Sequence, residues 1–353
     1  MARGRGEPVS ALRVLDHLPP GLLAAPTSEL ESLLGGPTLF DLPGRAGSPL
    51  FVSTLLHGNE DTGFEAAKRV LARHAARGLP RPLLLFVGNV AAAARNLRTL
   101  PGQQDYNRVW PGTRLAASAE QRLIAEVYAY ARRRAPFASI DIHNNTGLNP
   151  HYGCVNRLDE RWLHLARLFS RTVVYFTEPT GVQSQALAGL CPAVTVECGK
   201  AGVAANIAHA EAYIDACLHL AELPHAPVPE HDLDLMRTGW IVRVPPAASL
   251  SFDGAPADFE FRSDLDHLNF SELAAGTRFG RLGARHAHRL DVVDAGGGAL
   301  DAVFDYPDDD IVLAREALPS MLTLDANAVR LDCLCYLMQR IDRHGRALRG
   351  ALS

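Results

Sequence analysis

An alternation in the chain limits its fold more than any other feature. From about residue 49 to residue 225, short apolar runs of strand length take turns with longer stretches whose apolar residues recur at helical spacing. PLFVSTLL (49–56) reads as a buried strand. Asp61 to about Ala76 reads as a helix with Phe64, Ala67, Val70 and Leu71 on one face. LLLFVGN (83–89) is a second strand. Residues 118–134 form a second helix, with Ile124, Val127, Tyr128 and Ala131 in phase and Ser118 and Gln121 spaced as a capping box. ASIDIH (138–143), TVVYF (172–176) and AVTVE (193–197) are further strands, and Ala204 to about Leu223 is another helix. Strands alternating with helices argue for an α/β fold, an open, mixed, mainly parallel sheet flanked by helices.

After Pro224-His225-Ala226-Pro227 the texture changes. Short β-rich runs such as WIVRV and LDVVD lie between clusters of Gly, Pro and Asp, as in a smaller β-rich domain. The expected division is 1–225 for the α/β domain and 226–353 for the β-rich one. Hydrophobic residues make up 47% of the 353 and charged residues 21%, enough to bury a core and too apolar for a disordered chain. A net charge of −4 gives no basic excess to attract nucleic acid or an anionic membrane. The N-terminal stretch is interrupted by Asp16, His17 and Pro19-Pro20, so it does not read as a signal peptide, and no run reaches the roughly 20 apolar residues of a membrane span. Six cysteines without framework spacing read as reduced thiols of a cytoplasmic protein. The mainly apolar CLCYLM (333–338) suits a buried segment.

Polar residues stand where this architecture places ligands, at the carboxyl ends of strands. In STLLHGNEDTG (53–63) an apolar run stops at His57, and Glu60 follows just before a helix. The two-residue gap, with Gly58 relaxing the backbone, lets imidazole and carboxylate turn toward one point. A catalytic zinc site uses three protein ligands from His, Asp and Glu, and His143, ending a strand in SIDIHNNTG, offers the third. Read alone, it is equally a surface histidine. Glu197 ends the run AVTVE, where a general base would stand, or where a structural pair with Lys200 would. In DYNRVWPG (105–112), Arg108 and Asn107 could grip a substrate carboxylate, and Asp105 could hold a ligating histidine; the bland alternative is a polar turn. Arg95 and Arg98 lie upstream.

Taken together, LLHGNE, VGNVAAAARNLRTLPGQQDYNRVWPG, DIHNNTG and VTVECG resemble the succinylglutamate desuccinylase/aspartoacylase branch of the zinc carboxypeptidase superfamily, over roughly residues 45–220. The resemblance implies a zinc-carboxypeptidase-like fold with a β-rich tail. It implies one zinc ion per chain, with His57, Glu60 and His143 as ligands and Glu197 as general base. It further implies that Asn107 and Arg108 bind the substrate carboxylate, that Asp105 supports the first histidine, and that Arg98, in preference to Arg95, polarises the scissile carbonyl. About two extra residues between Arg98 and Asp105 depart from the relatives, and Tyr306 is a candidate to complete the pocket. The implied activity is a metallohydrolase cleaving the amide of an N-acyl amino acid or related small carboxylate-bearing amide by attack of a zinc-bound water. Its partners would be small molecules, with no nucleic acid or membrane, and a homo-oligomer stays open. A metallocarboxypeptidase acting on short peptides is the alternative, and a cysteine-dependent hydrolase using Cys198 a more distant one.

Four other features stay unassigned to function. RHAHR (285–289) reads as an exposed strand face, His151 as a loop histidine, YPDDD (306–310) as a solvated turn and DAGGGAL (294–300) as a hairpin turn.

Overall fold

The computed structural model describes residues 12–283, 288–294 and 303–348. The readings of the first eleven residues, of most of RHAHR and of most of DAGGGAL lie outside the described residues. The chain groups into two compact units: Met1–His143 with Pro179–Ala193 and Ala210–Ala221, and Asn144–Glu178 with Val194–His209 and Glu222–Ser353.

In the first unit the strands are β1 (Arg13–Leu15), β2 (Thr38–Leu42), β3 (Leu50–Thr54), β4 (Leu83–Val87) and β5 (Ala138–His143). They lie side by side as β1-β2-β4-β3-β5. Three of the four pairings are parallel, and β2 with β4 is antiparallel. The helices are α1 (Leu30–Leu34), α2 (Thr62–His74), α3 (Val90–Ala93) and α4 (Ala119–Arg134). All five residues of β3 and of β4 are buried, as continuous apolar runs in a parallel sheet require. On α2 the face read from the sequence, Phe64, Ala67, Val70 and Leu71, is buried. Ser118 caps α4, its hydroxyl accepting the Gln121 N–H at 3.1 Å.

The second unit holds β6 (Tyr152–Val155), α5 (Glu160–Phe169), β7 (Thr172–Tyr175) and most of β8, which spans Ala193–Glu197. In the first unit again, α6 spans Gln183–Leu187, while α7 (Ala204–His219) begins in the second unit and ends in the first. Further along the second unit come β9 (Asp234–Arg243), β10 (Leu250–Ser251), β11 (Phe259–Phe261), β12 (Arg278–Leu282), β13 (Asp291–Asp294), β14 (Phe304–Asp305), β15 (Asp310–Leu313), β16 (Leu318–Ser320), α8 (Ala326–Leu331) and β17 (Cys335–Arg340). Strands β8-β6-β7-β9-β17-β16 are neighbours, with β13 also on β9. A separate five-stranded sheet, β10-β11-β12-β15-β14, packs Phe259, Phe279, Leu282 and Ile311 into a core that it shares with Val242 of β9 and Leu337 of β17.

The fold is therefore the expected one, a mixed, largely parallel sheet with helices and a distinct β-rich sheet. Residues 160–169, passed over in the sequence, form α5, with Trp162, Leu163, Ala166 and Phe169 buried. Cys333, Leu334, Cys335, Leu337 and Met338 of CLCYLM are buried, and none of the six cysteines, all among the described residues, is in a disulfide. Among the described residues no helix is long and apolar enough to cross a membrane.

Candidate metal centre

The stretch after β3 is shaped by two close approaches. Leu55, fully buried, takes a left-handed φ of 55°, and its carbonyl accepts the Asn89 N–H at 2.6 Å, so the ends of β3 and β4 are tied together. A β-carbon on Gly58 would lie 2.2 Å from the Ala93 nitrogen, so only glycine lets this loop rest against α3. The Gly58 N–H in turn donates to the Arg98 carbonyl at 3.1 Å. The backbone fixed in this way turns His57 and Glu60 inward. His143 arrives from the end of β5, and the ligand atoms of the three buried side chains lie within 4.8 Å of one another.

Each histidine presents Nδ1 to Glu60, at 2.8 Å for His57 and 2.7 Å for His143. The other ring nitrogen faces outward to an aspartate: His57 Nε2 to Asp105 at 2.9 Å and His143 Nε2 to Asp141 at 2.8 Å. A histidine that donates Nε2–H to a carboxylate keeps its Nδ1 lone pair for a metal, and its ring orientation is fixed. With both imidazoles neutral, as metal ligands must be, three carboxylates against the guanidinium of Arg98 leave two negative charges in a largely buried place, and Arg108 acts on Asp105 from further out. Two imidazoles and a carboxylate with that excess of negative charge suit a divalent cation with nitrogen affinity, hence zinc over magnesium.

The same carboxylates that would hold a cation also attract protons to the imidazoles. Burial works against ionising Glu60, but the two histidines outweigh it and hold its carboxyl well below the usual range. Burial likewise opposes Asp105, yet the charges of His57 and Arg98 hold it well down. For His143 burial is outweighed by Asp141 and Glu60, which push the imidazole well above its ordinary value.

The two candidate arginines separate clearly. Arg98 donates to Asp105 at 3.0 Å and stands 3.5 Å from Glu60, whereas Arg95 is exposed and pairs with Glu31 at 2.9 Å. Asn107 is buried, and its amide nitrogen lies 3.2 Å from Asp141 and 3.1 Å from His143, while its oxygen accepts the Gln183 N–H. Half-buried Arg108 donates to the Asn107 carbonyl at 3.0 Å. In the second unit Glu197 ends β8 and accepts a hydrogen bond from Asn145 at 2.6 Å, and Lys200 is turned to Asp266, 3.8 Å away. His151 stacks on His209 with ring centroids 4.4 Å apart. The Tyr306 hydroxyl accepts the Leu290 N–H, Cys198 is fully buried, and Asp310 of YPDDD pairs with Arg278.

Sequence reasoning overlooked Asp141, although a signal was available. Residues two apart on a strand share a face, so Asp141 must point the same way as His143. Ser53, its register partner on β3, donates to Asp141 at 2.7 Å, and Gln183 on α6 holds both Asn107 and Ser139. Nothing in the sequence distinguishes Ser53 or Gln183.

Residues 46–221 match the succinylglutamate desuccinylase/aspartoacylase catalytic domain. The chain belongs to that family. No curated protein matches it. Among solved structures, the family's fold is shared with succinylglutamate desuccinylase from Chromobacterium violaceum, at 20% identity and a TM-score of 0.50 over 77% of this chain and 86% of the other. It is shared also with succinylglutamate desuccinylase/aspartoacylase from Rhodobacter sphaeroides, at 13% identity and 0.55 over 86% and 89%. Murine aminoacylase 3 is similar at 14% identity and 0.55, over 85% of this chain and 97% of the other. These three likenesses concern the fold.

Proposed function

We propose that the protein is a zinc-dependent amidohydrolase that removes the acyl group from an N-acyl amino acid or a related small carboxylate-bearing amide. The observation that carries this reading is the buried convergence of His57, Glu60 and His143, each histidine braced by its own aspartate, within a desuccinylase/aspartoacylase catalytic domain. The catalytic domain of this reading is residues 1–225, with 226–353 as a β-rich appendage; the family match, which ends at 221, supports that division.

Held by His57, Glu60 and His143, zinc would lower the pKa of a water and polarise the substrate carbonyl. The chain's own residues do the rest. Glu197 takes the proton from the attacking water and returns it to the leaving amine. Arg98, anchored on Asp105, offers its guanidinium to the oxygen on which charge develops. Arg108 grips the substrate carboxylate through its planar fork, and Asn107 completes that subsite while its amide donates to Asp141, the carboxylate behind His143. The names of the relatives, desuccinylase, aspartoacylase and aminoacylase, support an acyl amino acid as substrate. Free, mostly buried thiols support a reducing compartment, the cytoplasm.

The test is elemental analysis of the wild type, His57→Ala and Glu197→Gln, followed by assay on a panel of N-acyl amino acids and short peptides. About one zinc in the wild type and Glu197→Gln, its loss in His57→Ala, and turnover of N-acyl amino acids abolished by Glu197→Gln are expected. Wild type that takes up no zinc, or that cleaves peptides alone, overturns the reading.

A further inference from the structure

Asn145, two residues past His143, is only 4% exposed. Its Nδ2 donates to Glu197 Oε2 at 2.6 Å and approaches the Met321 thioether at 3.4 Å. Its backbone N–H donates to the Gly199 carbonyl at 2.9 Å, where the Asn144 side chain also donates at 2.8 Å. The loop is thus fastened to the chain at Glu197 and again two residues beyond it. Met321 also accepts the Tyr152 hydroxyl at 3.0 Å, and Tyr152 stands opposite Glu197 in the β6–β8 register. Turned the other way, the amide would set its oxygen against the carboxylate, two acceptors face to face, so thioether and carboxylate together fix the donor toward Glu197.

The titratable neighbours on β6 contribute no charge of their own. Burial, reinforced by the charge of Glu197, pushes both Tyr152 and Cys154 well above their ordinary values, so both stay neutral near pH 7. Lys200, three residues on, faces Asp266.

We propose that Asn145 is the positioning residue of Glu197: its amide donor holds the carboxylate in its ionised form and fixes its rotation through Oε2. The assignment of Glu197 as base rests on the function proposed above, but the hydrogen bond can be tested without it.

The experiment is a ¹³C-glutamate carboxyl titration of the whole protein by NMR, with the Glu197 resonance identified by its loss in Glu197→Gln. Asn145→Ala raises the Glu197 midpoint by about one to two pH units, the worth of one hydrogen bond to a charged group. Asn145→Ser, a gentler change that keeps a donor, gives a smaller rise. An unchanged midpoint in a variant that melts and binds zinc like the wild type overturns the proposal. On the N-acyl amino acid panel, Asn145→Ala lowers kcat about tenfold to a hundredfold, a part of what a positioned base contributes, with little change in KM. In the Glu197→Gln background the same substitution adds almost nothing. Losses that multiply instead overturn the positioning role. Should Glu197→Gln keep full turnover, the base assignment falls, and the titration still decides whether Asn145 holds the carboxylate.

Discussion

His57 and His143 are each gripped by one ring nitrogen and offer the other. That division assigns separate work to residues of the same charge. Glu60 meets both inward nitrogens, while Asp105 and Asp141 stand behind the rings. Asp141→Asn should therefore leave the ligands in place yet weaken zinc binding about 10–100-fold, measured by competition with a chelating dye; unchanged affinity would refute the bracing role. The arginines give a paired prediction. Arg98→Ala should lower kcat by about 10²–10³-fold, the usual cost of losing an oxyanion donor. Arg95→Ala, which removes an exposed pair with Glu31, should leave turnover within about twofold. Equal losses in a steady-state assay would mean that Arg98 acts only through the fold.

Among elements, the contact between the ligand loop and α3 depends on Gly58, because the atoms a β-carbon would strike belong to backbone. Gly58→Ala should cost about 1–3 kcal/mol, as overpacking does, and the shift in denaturant midpoint will show it. Helices α2 and α7 meet through His74 and Asp215, 2.6 Å apart. Burial opposes ionisation of Asp215, but the His74 hydrogen bond and nearby positive charges outweigh it and lower its pKa. A lowered folded pKa means that the stabilisation is present above the unfolded value, about 3.9, and fades as pH falls through the folded one. Wild type should thus exceed Asp215→Asn in melting temperature near pH 7, and the gap should close in acid below about pH 4. A gap that widens in acid would contradict this sign.

At the scale of the whole molecule, the buried carboxylates of Glu60 and Asp141, with half-buried Asp105 beside them, would make a bound cation part of the stability of the fold. Chelation should lower the melting temperature, and restoring zinc to about 1,000 times its Kd should return about 4 kcal/mol; calorimetry with and without chelator decides. Much of the fold was legible beforehand, because the mainly apolar runs in β3, β4 and β5 announce buried strands and polar groups at strand ends stand out against them. Asp141 escaped notice because a carboxylate inside such a run looks like an interruption until its neighbours are known. The reason for Gly58 was hidden too, since contact with α3 is a fact of tertiary packing. The segment between Arg98 and Asp105 carries a last consequence. Arg98 is anchored by the Gly58 N–H and Asp105 by His57, while Leu100 and Gln103 close a turn through Pro101 and Gly102, both exposed, with Gly102 at a φ of 76°. Residues added between two such anchors bulge into solvent and leave the anchors where they were. An insertion at Pro101-Gly102 would therefore change the length of the chain and not the geometry of the pair it joins.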